Sequence, residues 1–348
     1  MYGLRNLCRE VPEEDYSVAL SWIGMKTLHI IYNISARSGK TRLIWRELKK
    51  LLTEQKIDFQ AHRTLREGHA TQITRSLCAL PDPAVYIAVL GGDGTINEVL
   101  NGITDFEKVR LGVMPTGSGN DFGRSLWIPK RPPDALEKII ACMQREEEGT
   151  AVPRIDLGQV RWNGCEVPRI FGISSGVGLD ALVCKKALTS KLKKFLNRIH
   201  LGKLTYVLLT VQSLFSMDTA ELSLICRTGA DGEDAEETCI RMSRTIFAAA
   251  MNLRAEGGGV PMAPRAVPTD GLLSLCCASD IPKWKTFLFL PFLVAAKHEK
   301  IKGFSVFDVR ELVLHADKPM VLHADGEYCG DVTEVTFTCL EGILQLLR

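Results

Sequence analysis

Apolar positions in the first part of the chain follow two alternating periods. Strand-like runs occur at Leu28–Tyr32, Phe59–Arg63, Val85–Leu90 and Arg110–Met114, and helical spacing covers Thr41–Gln55, Gly68–Leu80, Ile96–Gly102 and Asp134–Arg145. Ile96, Val99, Leu100 and Ile103 recur on one face of the third helix. Such alternation predicts a parallel sheet flanked by helices, with ligands gathering at the carboxyl ends of the strands. After Arg145-Glu146-Glu147-Glu148-Gly149 the texture changes. Ile155–Val160, Arg169–Ile173, Ala220–Cys226, Arg244–Ala250, Leu272–Ala278 and Glu311–His315 read as strands of a mostly antiparallel region. A basic helical tract, Leu182–Phe215, interrupts them, and the acidic stretch Gly229–Glu237 reads as a hairpin tip or loop.

The pattern therefore divides the chain near residue 150. Residues 1–24 lack either period; they are expected to form an extension ahead of a fold that starts near Met25, or a surface helix over Tyr16–Ile23. A total of 348 residues suits two domains, each able to bury a core. A net charge of +2 provides no global field for nucleic acid, so none is expected as partner. Eleven cysteines without a C-x-x-C pair fit reduced, buried thiols and a cytoplasmic setting. No apolar run reaches the about 18 residues of a membrane span. The longest, Phe287–Ala296, contains Pro291 and is expected to be core or pocket wall.

Three segments carry candidate chemistry. Gly91-Gly92-Asp93-Gly94-Thr95 lies between a strand and a helix, so its glycines admit close backbone approach and the helix N-terminus attracts phosphate. Asp93, an acid where an anion should bind, makes sense if a cation such as Mg²⁺ bridges it to phosphate. That combination suggests a nucleotide-using kinase. Met114-Pro115-Thr116-Gly117-Ser118-Gly119-Asn120-Asp121-Phe122-Gly123-Arg124 is a second glycine-rich turn after a strand, with Asp121 and Arg124 placed to pair or to organise a metal. Tyr32–Thr41 ends in Gly-Lys-Thr, but Ile34 stands where a P-loop needs its first glycine, which argues against a P-loop ATPase. Later carboxylates, among them Asp156, Asp180, Asp270 and the Asp325-Gly326-Glu327 triplet, are ambiguous alone. Asp-Gly is usually a turn.

Taken in order, YNISARSGK, GGDGTINEV, PTGSGNDFGR, IDLG at 155–158, GLDA at 178–181, PRAVPTDGLL at 264–273 and ADGE at 324–327 resemble the catalytic domain shared by diacylglycerol, sphingosine, ceramide and soluble bacterial lipid kinases. Ile34 replaces the proline of the first loop, and Ser118 replaces a threonine while keeping its hydroxyl. The resemblance implies an α/β, Rossmann-like domain of the NAD-kinase type over 25–150, rejoined by 335–348, and a β-sandwich-like, lipid-binding domain over 151–334. It implies ATP contacts from Asn33, Gly39, Thr64, Gly91, Gly92, Asp93, Gly94, Thr95, Asn97, Glu98, Thr116, Gly117, Ser118 and Asn120. Asp325 would be the general base with Glu327 beside it, and Asp93 would organise the catalytic Mg²⁺. A structural Mg²⁺ would sit at Asp270 with carbonyls near Val267 and Leu272, linked through Asp121, Arg124 and Asp156 toward the nucleotide.

The expected reaction is γ-phosphoryl transfer from ATP to a lipid hydroxyl. A small-molecule kinase of the NAD-kinase type and a non-enzymatic nucleotide-binding regulator stay open as alternatives. A lipid acceptor implies transient docking on a peripheral membrane surface, for which Lys185, Lys186, Lys191, Lys193, Lys194, Arg198 and Lys203 form a basic cluster. Exposed strand edges would permit a homodimer.

Overall fold

The structure is a computed structural model and describes residues 26–33, 40–189, 210–229 and 237–348. Expectations for residues 1–24, for Ile34 and Gly39, for the acidic tip and for Lys191, Lys193, Lys194, Arg198 and Lys203 lie outside those residues.

The first half builds β1 (Leu28–Tyr32), α1 (Lys40–Glu54), β2 (Phe59–Arg63), α2 (His69–Cys78), β3 (Val85–Gly91), α3 (Asp93–Leu100), β4 (Val109–Pro115), α4 (Asp121–Ser125) and α5 (Pro132–Glu147). β4, β3, β1 and β2 lie side by side in that order, all parallel. β3 is buried at every position, as expected of a central strand covered on both faces. Tyr32 pairs with Leu90, and Leu90 with Met114, so three strands end at one level. That level is where the glycine-rich loops leave the sheet.

The second half contains β5 (Arg154–Trp162), β6 (Arg169–Phe171), β7 (Ser174–Gly178), α6 (Leu179–Thr189), β8 (Ala220–Arg227), β9 (Glu237–Thr245), β10 (Phe247–Met251), β11 (Leu273–Ala278), α7 (Lys283–Val294), β12 (Phe304–Val309), β13 (Glu311–Ala324) and β14 (Glu327–Leu347). Its pairings are antiparallel, and a run of neighbours reads β12-β11-β10-β7-β13-β14. β14 is the splice between the halves. Val335, Phe337 and Cys339 alternate inward against the second core, whereas Leu344, Leu346 and Leu347 join the first. Gln345–Leu347 then run parallel to β4. Gly342, at φ +55°, lies within the register shift between Leu340 and Leu344 where the strand changes core.

Three expectations are corrected. The strand predicted over Arg244–Ala250 is two strands, β9 and β10, because Arg244 takes φ +49° and the chain changes partners at Ile246, from β8 to β7 and β11. β7, β12 and β14 lie outside the predicted strands: Ser174-Ser175-Gly176-Val177-Gly178 has little side chain to show a period, whereas Val335-Thr336-Phe337-Thr338-Cys339 does alternate apolar with polar. The apolar run Phe287–Ala296 is not core or pocket wall throughout. It falls in α7, whose Leu293 is buried but whose Phe287, Leu288, Phe292 and Val294 face outward. Among the described residues no helix is long and apolar enough to cross a membrane.

Candidate active site

Asn33, Thr64, Gly91 and Thr116 sit at the carboxyl ends of adjacent strands, tied by backbone bonds from Asn33 to Leu90 (3.3 Å), Thr64 to Tyr32 (2.9 Å) and Thr116 to Gly91 (2.8 Å). The two glycine-rich turns touch. A Cβ on Gly117 would lie 2.7 Å from the Gly92 Cα, so both positions need glycine for the loops to lie against each other. Thr116 Oγ1 is buried with no hydrogen-bond partner, while Gly94 and Ser118 are exposed beside it. An orphaned hydroxyl next to a free helix N-terminus fits a phosphate-bearing ligand.

Asp93 opens α3 and accepts hydrogen bonds from the amides of Asp121 and Phe122, both at 3.2 Å, which pins the second loop to the first. Burial, and then the neighbouring Asp121 charge, push its pKa up to about 6. Burial also raises Asp121, against a bond from the Gly258 amide (2.7 Å) and an ion pair with Arg124 (2.6 Å). Arg124 in turn donates to the Gly119 carbonyl. Two carboxylates that resist ionising side by side are a donor set that a divalent cation would relieve.

Asp325 and Gly326, at φ +49° and +83°, form the two-residue turn between β13 and β14. The hairpin reading and the base reading of this triplet are thus the same place. Asp325 Oδ1 accepts the amides of Ile173 (2.8 Å) and Ser174 (3.1 Å); Oδ2 accepts the Gly172 amide and Asn97 Nδ2, both at 2.8 Å. Four donors occupy the four acceptor sites of a carboxylate. Asn97 is itself held by Arg169 (3.0 Å) and the Ile170 carbonyl. Its side chain is therefore spent on Asp325 rather than turned to the nucleotide loop. Glu98 also points elsewhere, accepting the Ala70 amide at the start of α2. Glu327 begins β14 with Oε1 only 3.5 Å from where a Cβ on Gly94 would stand. The triplet thereby meets the first glycine loop.

Comparison with known proteins decides the family. Residues 27–150 match the diacylglycerol kinase catalytic domain, and residues 174–348 match the YegS C-terminal NAD kinase beta sandwich-like domain. The chain belongs to the diacylglycerol kinase catalytic-domain family. A diacylglycerol kinase of Bacillus subtilis is 29% identical over 308 residues, covering 88% of this chain and 91% of its own. One from Staphylococcus carnosus is 28% identical over 311 residues, covering 88% and 90%. A solved structure of a diacylglycerol kinase from Bacillus anthracis has TM-score 0.62 at 16% identity, covering 93% of this chain and 97% of its own; at that identity the likeness concerns the fold. The chain is thus a kinase of a lipid kinase family, with a mixed α/β first part and a β-sandwich-like second part.

Behind the Asp325 turn lies a cluster of which the sequence motifs contained only Asp180, in the GLDA segment. His323 Nε2 donates to Asp180 Oδ2 at 3.0 Å, and the Gly326 amide donates to its Nδ1 at 3.1 Å. Burial opposes charge on the ring and Asp180 favours it, with a net upward direction. The Gly326 amide takes the Nδ1 lone pair, a bond that works against that gain of a proton. Glu256 bonds the Ser174 hydroxyl, and burial pushes its pKa up to about 7. Asp180, Glu256 and His323 bring their polar atoms within 4.8 Å of one another.

The expected structural-metal segment is a separate network. Asp270 accepts the Leu272 amide within its own turn (3.0 Å), and Val267 is exposed. Burial, partly offset by that bond, raises the Asp270 pKa, as does Asp156. Asp156 accepts the amides of Gly271 (2.8 Å) and Gly342 (2.6 Å). The expected path from Asp156 through Asp121 and Arg124 is replaced by one through Asn252. Its Nδ2 donates to the carbonyls of Asp156 and Gly172, both at 2.9 Å, and Gly172 holds Asp325. The DG-x-L turn therefore leans on the Asp325 hairpin rather than on the nucleotide loops.

Proposed function

We propose that this chain transfers the γ-phosphoryl group of ATP to the hydroxyl of diacylglycerol or a related lipid alcohol, with Asp325 as general base. The observation that carries the reading is the meeting of Glu327 and Gly94, which puts the Asp325 turn at the mouth of the glycine loops. The Bacillus subtilis and Staphylococcus carnosus relatives, both diacylglycerol kinases, support the acceptor class.

The residues divide the work. Amides of the Gly91–Thr95 loop and the start of α3 receive phosphate oxygens, and Thr116 Oγ1 has the unused capacity to donate to them. Mg²⁺, held by Asp93 with Asp121 beside it, would supply neutralisation of charge on the phosphate oxygens. Asp325 accepts the hydroxyl proton. Since its carboxylate is filled by four donors, the acceptor hydroxyl must exchange with one, and Asn97 is the only side chain among them. Positioned base catalysis of this kind is worth about 10²–10⁴-fold. Asp270, with the carbonyls of Val267 and Leu272, would hold a structural cation beside the Asp156–Asn252–Gly172 path.

The test is incubation with γ-labelled ATP and a panel of diacylglycerol, a sphingoid base, phosphatidylglycerol and an isoprenoid alcohol, alongside NAD. A labelled phosphatidate from diacylglycerol is the expected product. Phosphorylated NAD with no labelled lipid would instead support a small-molecule kinase, and ATP binding without product a regulator.

A further inference from the structure

α7 is apolar on both sides, yet among the described residues only one side has a partner. Inward, Leu293 is buried, and Phe289 and Leu290 pack on a core shared with Val183 of α6 and with β10, β11 and β12; Phe289 meets Phe304 edge to face. Outward, Trp284, Phe287, Leu288, Pro291, Phe292 and Ala295 follow the i, i+3, i+4 spacing of a single face. Five of the twelve large apolar side chains exposed among the described residues lie on this one helix: Trp284, Phe287, Leu288, Phe292 and Val294. Trp284 is 57% exposed and Leu288 55%. A helix that is hydrophobic all round is ordinarily buried on all sides, and a concentrated outward patch marks an interaction surface.

We infer that the outer face of α7 is the surface by which this protein docks on an anionic lipid bilayer. The charge around the patch selects that occupant. Lys285 lies in the first turn, Lys297, Lys300 and Lys302 follow the helix, and no acid occurs from Lys283 to His298; Lys283 itself is turned to the Met217 carbonyl. Glu299, the nearest one, is paired with Arg265 at 3.0 Å. Apolar and aromatic side chains rimmed by lysines suit a helix lying in the headgroup region, its apolar face reaching about 5–10 Å inward. A second copy of the chain would bring two lysine rims together, which disfavours a dimer here.

The first two lysines of the basic tract do not share this role. Lys185 is pinned at 3.0 Å to Asp331 and lies over the Tyr328 ring, and Lys186 donates to Ser216, so both are engaged in the fold. Placement of α7 suits delivery of an acceptor. It shares a core with α6, whose Asp180 bonds His323, two residues before the proposed base. The purpose of docking rests on the lipid-acceptor reading, whereas its measurement does not.

The experiment is co-sedimentation of the full chain with vesicles of phosphatidylcholine alone or with an equal part of phosphatidylglycerol, without ATP or acceptor. Wild type is expected to bind the anionic vesicles, and to lose binding in high salt. Trp284→Ser with Leu288→Ser should lower the bound fraction at least tenfold, and Lys285→Gln with Lys297→Gln should remove its salt dependence, all with unchanged thermal melting and ATP affinity. Absence of wild-type binding overturns the inference. So does equal binding by the Trp284/Leu288 variant, or a wild-type dimer in sedimentation velocity that this variant dissolves. A failed lipid panel with intact vesicle binding would count against the acceptor alone.

Discussion

Asn97 and Asp325, 228 positions apart, meet at 2.8 Å, the amide of one donating to the carboxylate of the other. One residue follows the first glycine loop and the other forms the last hairpin turn, so this bond joins the two halves at the point of proposed chemistry.

Asn97→Ala removes the one side-chain donor on Asp325. A hydrogen bond to a charged group is worth about 1.5–3 kcal/mol, and the acceptor hydroxyl no longer has to displace it, so the KM for the acceptor should fall roughly 10–100-fold. ATP affinity should change little, because Asn97 is turned away from the nucleotide loop. Steady-state kinetics with a separate ATP titration check the split.

Thr116→Val tests the orphaned hydroxyl. Replacing a buried, unpartnered hydroxyl by a methyl should leave Tm unchanged or raise it. If Thr116 Oγ1 donates to a phosphate, ATP affinity should drop about tenfold, in line with about 1.4 kcal/mol for one bond. Calorimetric titration and a melting curve give both numbers.

Glu256 has a pH signature. Its pKa in the fold, about 7, lies above that of an unfolded glutamate, so between the two values the native state holds a proton that the unfolded chain has released. Wild-type stability should therefore fall as pH rises through that window and level off above pH 7. Glu256→Gln cannot ionise and should gain on wild type as pH rises through the same window, a tenfold change in proton affinity being worth about 1.4 kcal/mol. Melting at stepped pH in both proteins measures it.

Asp270→Asn probes the structural cation. Chelator should lower the Tm of wild type but not of this variant, and added Mg²⁺ should restore only the former. Equal response of both proteins would remove Asp270 from the metal set.

Much of this is legible in the chain. Long apolar runs such as Val85–Leu90 and the glycine turns after them are local signals, and the structure places those turns together at the carboxyl ends of adjacent strands. The ordered motifs carry the family, which the domain matches bear out. What stays hidden depends on contacts across the chain. Asn252 has no motif around it and matters only because Asp156 and Gly172 converge on its amide. His323 carries one faint signal: it stands two residues before Asp325, near the end of the strand that leads into that turn. The resemblance implies nucleotide contacts from Asn97 and Glu98, whereas their side chains bond Asp325 and the Ala70 amide. α7 misleads for a different reason: an apolar run reports hydrophobicity, not which neighbour will cover it.

The most direct test of the central claim sets Asp325→Asn beside Glu327→Gln in a phosphoryl-transfer assay with diacylglycerol vesicles, while ATP binding is followed by calorimetry. Asp325→Asn should lose at least about 10²-fold in turnover with ATP affinity within a few-fold of wild type, and Glu327→Gln should be less affected. Near-normal turnover in Asp325→Asn, or a larger loss in Glu327→Gln, would contradict the assignment of Asp325 as the base.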